Sequence, residues 1–259
     1  MKTELLVPMA FLLVFVLVMT VVSATFLPIP DQAKDNGKPE NSQVIEVMDE
    51  GWSVTPSGLE RMVFVHYVKP DKPGKPDKAD KTACYDFLGR GVMWKELPID
   101  LVVNDELPAS SIFMSGEEWE AATSMHLIDM YLLDGLADFD TDAPDGRNEF
   151  SYGDYQQDGV IAVCIVWGYY LGNPANRKII EFDIMFDTDY EWGDSVLDNS
   201  VMDMQNIATH EIGHGFGLAD MYSDSCSEVT MYGYSNYGET KKRTLESPDI
   251  AGLQKLYGE

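Results

Sequence analysis

The most informative segment for predicting the fold is Thr209-His210-Glu211-Ile212-Gly213-His214-Gly215-Phe216-Gly217-Leu218-Ala219-Asp220. Two histidines four residues apart lie on the same face of a helix, one turn above each other, so both imidazoles can bind one ion. Met204, Ala208 and Ile212 repeat at the same interval and point the opposite way, which is expected to anchor the helix in the core. Ser200 and Asp203 are the predicted cap of this helix, which is expected to run to about Gly215.

The glutamate between the two histidines suits a second role. Glu211 cannot easily bind the same ion as both imidazoles, but its carboxylate can take a proton from a metal-bound water, whose pKa zinc lowers to about 7, and pass it to a leaving amine. A catalytic zinc ion needs a third protein ligand. No histidine follows His214, and Gly217 suits a left-handed turn back towards the metal. Asp220 is therefore the expected third ligand, with Asp224 as the alternative.

Three segments around this motif carry a resemblance to a known family. They are Phe186–Trp192, Thr230-Met231-Tyr232 and Ser247–Gly258. Together with the two-histidine helix they resemble the metzincin metallopeptidases and, within them, the matrixins, over most of residues 84–259. The resemblance implies an α+β fold in which a twisted mixed sheet packs against an active-site helix and a C-terminal helix. Matrixins have a third histidine where Asp220 stands; aspartate occupies this position in some metzincin-like peptidases such as snapalysin.

The resemblance also implies roles for individual residues. It makes His210, His214 and Asp220 zinc ligands, Glu211 the general base and acid, and Met231 the methionine packed beneath the ion. Strand Val160–Trp167 becomes the edge of the sheet above the cleft, where an extended substrate adds as a further strand. The implied substrate-binding residues are Val160, Ile161, Ala162, Tyr232 and Tyr234. Tyr232 and Tyr234 either wall the pocket beyond the scissile bond or pack the loop.

Cysteine and histidine positions set this chain apart from the matrixins. Residues 134–209 contain no histidine, so the structural zinc site of matrixins is expected to be absent. Residues 25–83 contain no cysteine, so the matrixin thiol switch has no residue there. Cys164 lies in an apolar run and is expected to be a buried free thiol. Cys84 and Cys226 are therefore expected to form a disulfide, although Cys84 is also placed where a thiol switch could act.

Acidic residues predict calcium binding at two places. Asp138, Asp140 and Asp142 alternate along the chain towards Asp145 and Glu149, but Ala143 stands where an EF-hand loop needs glycine. A looser calcium site and a solvated turn both remain open. Further along, Asp187 and Asp189 resemble matrixin calcium ligands, although Tyr190 replaces the usual glutamate.

The remaining elements follow from periodicity. Strands are expected at residues 43–48, 61–68, 97–103, 149–152, 160–167 and 179–186. Ser115 and Glu118 form a capping-box signature that predicts the start of a helix. One face of that helix is expected to carry Trp119, Ala122, His126 and Met130. His66, in a strand, and His126 are expected to be packed histidines. A last helix is expected from Ser247 to about Tyr257.

Composition limits the possible partners and the compartment. Against 44 Asp and Glu the chain has 18 Lys and Arg, and the resulting net charge of -26 opposes binding to nucleic acid. Residues 1–24 have the form of a signal peptide, or of an uncleaved anchor that would be the chain's only contact with the membrane. Residues 25–68 are expected to form a small N-terminal segment, 69–83 a Lys/Pro-rich linker, and 84–259 the peptidase domain.

These observations predict a secreted zinc-dependent endopeptidase, with Zn²⁺ as catalytic cofactor, Ca²⁺ as a candidate structural ion, and proteins or peptides as substrates. The alternative is a secreted binding or adhesion module in which zinc is purely structural. The retained Glu211 favours catalysis, because a structural site has no use for a general base.

Overall fold

The structure, a computed structural model, describes residues 42–56, 58–70 and 83–259. The predicted leader 1–24 and most of the linker 69–83 lie outside the described residues. All described residues belong to one compact unit, residues 36–259. Among them, no helix has the length and the apolar character needed to cross a bilayer.

The described residues form thirteen strands and three α-helices. The strands are β1 (Gln43–Ile45), β2 (Gly51–Val54), β3 (Glu60–Val68), β4 (Asp86–Phe87), β5 (Ile99–Val103), β6 (Ile128–Leu133), β7 (Glu149–Tyr155), β8 (Val160–Tyr169), β9 (Lys178–Asp187), β10 (Trp192–Gly193), β11 (Met202–Asp203), β12 (Leu218–Ala219) and β13 (Tyr234–Ser235). The helices are α1 (Ala109–Glu120), α2 (Met204–Gly215) and α3 (Ser247–Tyr257).

Nine of these strands form one mixed sheet in the described part of the chain, in the order β13-β3-β8-β9-β7-β5-β6, with β1 on β7 and β2 on β3. Strands β5, β6, β7 and β9 pair in parallel, whereas β8 runs antiparallel to both β9 and β3. Helix α2 packs against β8, β9 and α1. The sheet therefore supports the helix that carries the two-histidine motif.

Helix α2 begins and ends where local chemistry requires it. The Asp203 side chain accepts a hydrogen bond from the Asn206 N–H at 2.8 Å, so Asp203, and not Ser200, caps the helix. After the helix, Gly217 has a φ of +95°, and a Cβ there would lie 2.4 Å from the Val92 carbonyl oxygen. Only glycine fits this turn, as predicted.

The predictions for α3 and the cysteines are confirmed. Helix α3 spans Ser247–Tyr257 and begins with a capping box between Glu246 and Asp249. Cys84 and Cys226 form a disulfide, and Cys164 is a buried free thiol. The disulfide joins the segment before β4 to the segment after β12.

The prediction for α1 is wrong at both ends. The helix begins at Ala109, after Pro108, and Ser115 lies inside it, where its hydroxyl donates to the Ser111 carbonyl at 2.9 Å. It ends at Glu120, so of the four predicted face residues only Trp119 is helical. Residues 128–133 form strand β6, because parallel pairing with β5 overrides the helical spacing. His126 is exposed and pairs with Glu120 instead of packing in the core.

The predicted boundary between residues 25–68 and 84–259 is also wrong. Strand β3 pairs with β8 from Glu60 to Tyr67, and Val63 and Val65 of β3 are buried in an apolar cluster on one face of the sheet. Residues on both sides of the Lys/Pro-rich segment thus belong to one sheet. An alternating strand pattern does not reveal the pairing partner, so this arrangement could not be predicted from the strand pattern of residues 61–68.

Strand β8 is not the edge of the sheet, contrary to the implication of the family resemblance. It has β9 on one side and β3 on the other. Val160, Ile161 and Ala162 are at most 1% exposed. The hydrogen-bonding edge expected to receive a substrate is therefore occupied by an earlier part of the same chain.

Candidate metal centre

Helix α2 presents His210 and His214 in matched orientations. The Nδ1 of His210 lies 2.7 Å from the Thr230 carbonyl oxygen, and the Nδ1 of His214 lies 2.9 Å from that of Leu218. A carbonyl can only accept, so each Nδ1 donates its hydrogen and each Nε2 keeps a free lone pair. The two Nε2 atoms lie 3.2 Å and 3.6 Å from the Oδ1 of Asp220.

This donor set fits a zinc ion. Ligands about 2.0–2.1 Å from a tetrahedral ion lie roughly 3.3 Å from each other, close to the distances observed here. His210 Nε2, His214 Nε2 and Asp220 Oδ1 are buried and have no hydrogen-bond partner outside this group in the described part of the chain. Buried polar atoms without partners are costly unless an ion or ligand binds them. The alternative ligand Asp224 belongs to no such group of described residues.

Neighbouring side chains hold the three donors in place. The Tyr222 hydroxyl donates to Asp220 Oδ2 at 3.2 Å, which leaves Oδ1 facing the histidines. Met231 is fully buried against α2, and a Cβ on Gly213 would lie 2.3 Å from its sulfur. Asp249 of α3 accepts hydrogen bonds from the Thr230 and Met231 N–H groups at 2.9 Å and 3.2 Å. The C-terminal helix thereby fixes the carbonyl that orients His210.

Burial shifts the pKa of two groups at this centre, His210 and Glu211. Burial, together with the charge of Lys242, lowers the pKa of His210 to about 3, so the imidazole is neutral, as a metal ligand requires. Burial also raises the pKa of Glu211 to about 8, with a further contribution from the charge of Asp220. The Glu211 carboxylate is fully buried beside the donor set.

Strand β3 contributes residues to the site that were not predicted to lie there. The ring of Phe64 stacks on His214 with centroids 3.8 Å apart, and the ring of His66 meets His210 edge-on at 4.1 Å. His66 Nδ1 lies 3.3 Å from Glu211 Oε1. One signal was available, because the whole chain has only four histidines and a histidine in an apolar strand is unusual. It did not indicate which strand His66 would join.

Lys242 is a second residue that the sequence analysis missed. It is fully buried, its ammonium group lies 3.4 Å from His66 Nε2, and it also donates to the Tyr232 carbonyl. Burial lowers the pKa of Lys242 to about 8. No local pattern distinguishes this lysine from Lys241 beside it, so the sequence carried no signal.

The predicted substrate residues are found in two settings. Val160, Ile161 and Ala162 lie in β8 beside β3 in the same sheet, and Ala162 pairs with His66. Tyr232 is 2% exposed and packs against Tyr234, with ring centroids 5.8 Å apart. Tyr234 is partly exposed and pairs through β13 with Tyr67 of β3. In this conformation both tyrosines pack the loop and β3.

The acidic residues cluster differently from the prediction. Asp140 is joined by Asp145 and Glu181, and Asp187 with Asp189 by Asp154, whereas Asp138 and Asp142 belong to neither cluster of described residues. Burial raises the pKa of Glu181 to about 7 and that of neighbouring Asp183 to about 9. Asp183 is fully buried, and its Oδ2 has no hydrogen-bond partner among the described residues.

Two histidines one helical turn apart, a glutamate beside the first and a carboxylate on the following turn form the kind of metal site that metallopeptidases use. Comparison with known proteins agrees. Residues 168–258 match the matrixin family. The mixed sheet, its helices and this match confirm the predicted α+β, metzincin-like fold.

Two individual relatives are matrilysins. The chain is 37% identical to rat matrilysin and 34% identical to human matrilysin, in each case over 76 residues, 29% of this chain and 27% of the relative. The match thus spans about a quarter of the length of these relatives. The carboxy-terminal part of the chain is matrixin-like, and the class of protein it resembles is the metallopeptidase.

Proposed function

We propose that the protein is an exported zinc-dependent endopeptidase that hydrolyses peptide bonds in proteins or peptides. The observation that carries the proposal is the convergence of His210 Nε2, His214 Nε2 and Asp220 Oδ1 beside the buried carboxylate of Glu211. The similarity of residues 168–258 to matrixins supports the same class of reaction. Export rests on the predicted leader, residues 1–24, whether it is cleaved or retained as an anchor.

The chain's own residues divide the chemistry between them. His210 and His214, oriented by the Thr230 and Leu218 carbonyls, and Asp220, oriented by Tyr222, would hold the ion, with Met231 packed against the helix behind it. A bound zinc ion supplies a Lewis acid that polarises the peptide carbonyl and makes water acidic. Glu211 would hold the proton that the attacking water loses and deliver it to the leaving amine.

The substrate would lie extended along β8. Backbone groups around Val160, Ile161 and Ala162 would pair with it, which gives affinity with little demand on side chains. Tyr232 and Tyr234 are the proposed wall of the pocket beyond the scissile bond. This assignment requires β8 to be free on the side where β3 now pairs.

The test combines metal analysis with a hydrolysis assay on the full chain. Because β3 lies over the site, the chain is assayed intact and after cutting at a specific protease sequence substituted within residues 71–82. We expect about one bound zinc per chain and casein cleavage that a chelator abolishes and zinc restores. Glu211→Gln should keep the zinc and lose hydrolysis by at least about 100-fold. Glu228→Gln, which changes an exposed glutamate, is the matched control.

Two outcomes would contradict the proposal. Full activity of Glu211→Gln would exclude the assigned proton transfer. If neither the intact nor the cut chain cleaves any protein, while chelation unfolds the chain, the zinc is structural and the alternative of a binding or adhesion module is favoured.

A second, structural cation is proposed at the acidic cluster of Asp140, Asp145 and Glu181. Hard carboxylate oxygens are the ligands that calcium prefers, and Asp183 adds a buried oxygen that accepts no hydrogen bond from any residue the structure describes. Calcium titration of the protein should show binding that Glu181→Gln removes and Asp142→Asn leaves unchanged. Asp187 and Asp189, with Asp154, are the other candidate calcium ligands.

A further inference from the structure

We propose that strand β3 is a built-in inhibitor: it occupies the edge of β8 on which a substrate would pair, and its His66 lies 3.3 Å from the carboxylate of Glu211. The inference rests on the proposed peptidase function. It assigns to the chain a latent state that ends when β3 leaves the sheet.

The backbone of β3 takes the place of a substrate strand. It runs antiparallel to β8 and pairs with it from Glu60 opposite Gly168 to Tyr67 opposite Val160. On its other side, β8 pairs with β9 from Ala162 opposite Phe186 to Tyr169 opposite Lys178. A strand with neighbours on both sides has no free edge for a further chain. A peptide can therefore pair with β8 only by displacing β3.

The side chains of β3 are divided between the two faces of the sheet. Successive residues of a strand point to opposite faces, so Phe64 and His66 share one face and Val63 and Val65 the other. Phe64 and His66 lie on the imidazoles of His214 and His210, respectively. Val63 and Val65 are buried in a separate apolar cluster on the far face. The strand thus covers the metal centre with one face and is anchored by the other.

His66 binds at the side of the centre where Glu211 lies. Its Nδ1 faces Glu211 Oε1 at 3.3 Å, and its Nε2 faces the Lys242 ammonium group at 3.4 Å. The donor atoms of His66, His210 and Glu211 lie within 4.8 Å of one another. A water molecule that Glu211 is to deprotonate must occupy this same space. While β3 is paired with β8, it therefore excludes both the substrate and the water molecule that would attack the substrate.

The loop after Met231 holds β3 from its other side. Strand β13 pairs in parallel with β3, with Tyr234 opposite Tyr67, and the Lys69 N–H donates to the Ser235 carbonyl at 2.9 Å. Tyr234 is one of the proposed pocket residues. Release of β3 would therefore free the β8 edge and the pocket wall together.

The test measures access to the centre independently of catalysis. The probe is a peptide hydroxamate, which needs both an accessible metal ion and a free β8 edge. The zinc-loaded full chain carries an affinity tag before residue 42 and a specific protease sequence within residues 71–82. It is probed intact, and again after cutting and removal of the tagged fragment. If β3 is docked in 99% of molecules, release should tighten hydroxamate binding about 100-fold.

A pair of variants keeps the test decisive if the released domain does not stay folded. In the intact chain, the double variant Phe64→Ala, His66→Ala removes the face of β3 that covers the centre. The matched double variant Val63→Ala, Val65→Ala removes apolar bulk from the opposite face. We expect at least about a tenfold gain in hydroxamate affinity for the first pair over the second.

The outcomes separate this inference from the proposed peptidase function. Hydroxamate binding that appears on release, without any hydrolysis, supports the inhibitory strand and contradicts the peptidase. Equal binding by the intact chain, the released domain and both double variants would overturn the inference, because β3 would then be a structural strand beside an open site. Absence of binding in every zinc-loaded form would overturn it as well, since something other than β3 would close the centre.

Discussion

The α2 segment and the β3 segment meet at one centre, but they depend on different information. Helix α2, its cap and the turn to Asp220 are specified within eighteen consecutive residues, 203–220, because the histidine spacing, the Asp203 cap and the glycine turn all act locally. The place of β3 depends on pairing with β8, about a hundred residues away along the chain. Local chemistry defines what the centre can bind, and long-range pairing decides whether a substrate can reach it.

The largest effect is expected where the local segment binds the ion. His214→Ala removes one of three protein donors, and a zinc site worth about 10–16 kcal/mol in all should lose roughly 1,000-fold in affinity. Competition with a coloured chelator measures it. His126→Ala, at an exposed histidine, should leave zinc affinity unchanged. Equal affinities of the two variants would exclude His214 as a ligand.

Truncating one buried side chain in each segment should show whether α2 and β3 differ in their stability against unfolding. Ile212→Ala in α2 should cost about 2–5 kcal/mol and lower the main unfolding transition. Val63→Ala in β3 should cost about 2 kcal/mol. Its first effect should be faster amide hydrogen exchange in β3 and at the edge of β8. Hydrogen exchange together with denaturant unfolding compares them. Simultaneous loss of protection in α2 and β3 for both variants would show that the two regions open as one unit.

A smaller effect is expected from the residue that orients Asp220. Tyr222→Phe removes the hydrogen bond to Asp220 Oδ2 and should weaken zinc binding about tenfold without loss of folding. Tyr237→Phe, at an exposed tyrosine, is the control. Unchanged zinc affinity in Tyr222→Phe would mean that the turn alone positions the carboxylate.

The smallest effect concerns pH and the acidic cluster, which neither segment contains. The pKa of Glu181 is raised to about 7 and that of Asp183 to about 9, while an unfolded chain loses these protons near pH 4. The folded state binds more protons between these values, so stability without calcium should fall as pH rises from about 5 to 9. A loss on the order of 1 kcal/mol lowers the Tm by about 2–4 °C.

The measurement for the acidic cluster is thermal unfolding of the zinc-loaded protein with a calcium-selective chelator. Asp183→Asn should flatten the decline with pH, and added calcium should remove it in the unchanged protein. A decline of the same size in Asp183→Asn would assign the effect to other groups.

The difference between local and long-range information also explains which parts of the fold and the site could be predicted from the sequence. Helix α2, the Gly217 turn, the position of Asp220, helix α3 and the Cys84–Cys226 disulfide follow from spacing, caps and residue types. The start of α1 was misplaced because Ser115 hydrogen-bonds within the helix instead of capping it. His66 and Lys242 could not be assigned, because their places at the centre are set by strand pairing and a loop fold that no local pattern encodes.

The Cys84–Cys226 bond gives the molecule a covalent staple that survives any cut upstream of Ala83. It closes a loop with a sequence separation of 142, for which chain entropy gives about 5 kcal/mol. After such a cut, the new amino terminus stays pinned to the segment just past Asp220, whatever becomes of the severed piece. In a thiol-reducing medium this restraint is lost, and the turn that carries Asp220 then depends on noncovalent contacts, among them the pairing of β12 with β4 and the backbone hydrogen bonds of Met221 with Met231 and Gly233. The stability of the cleaved protein is therefore expected to depend on an oxidising environment.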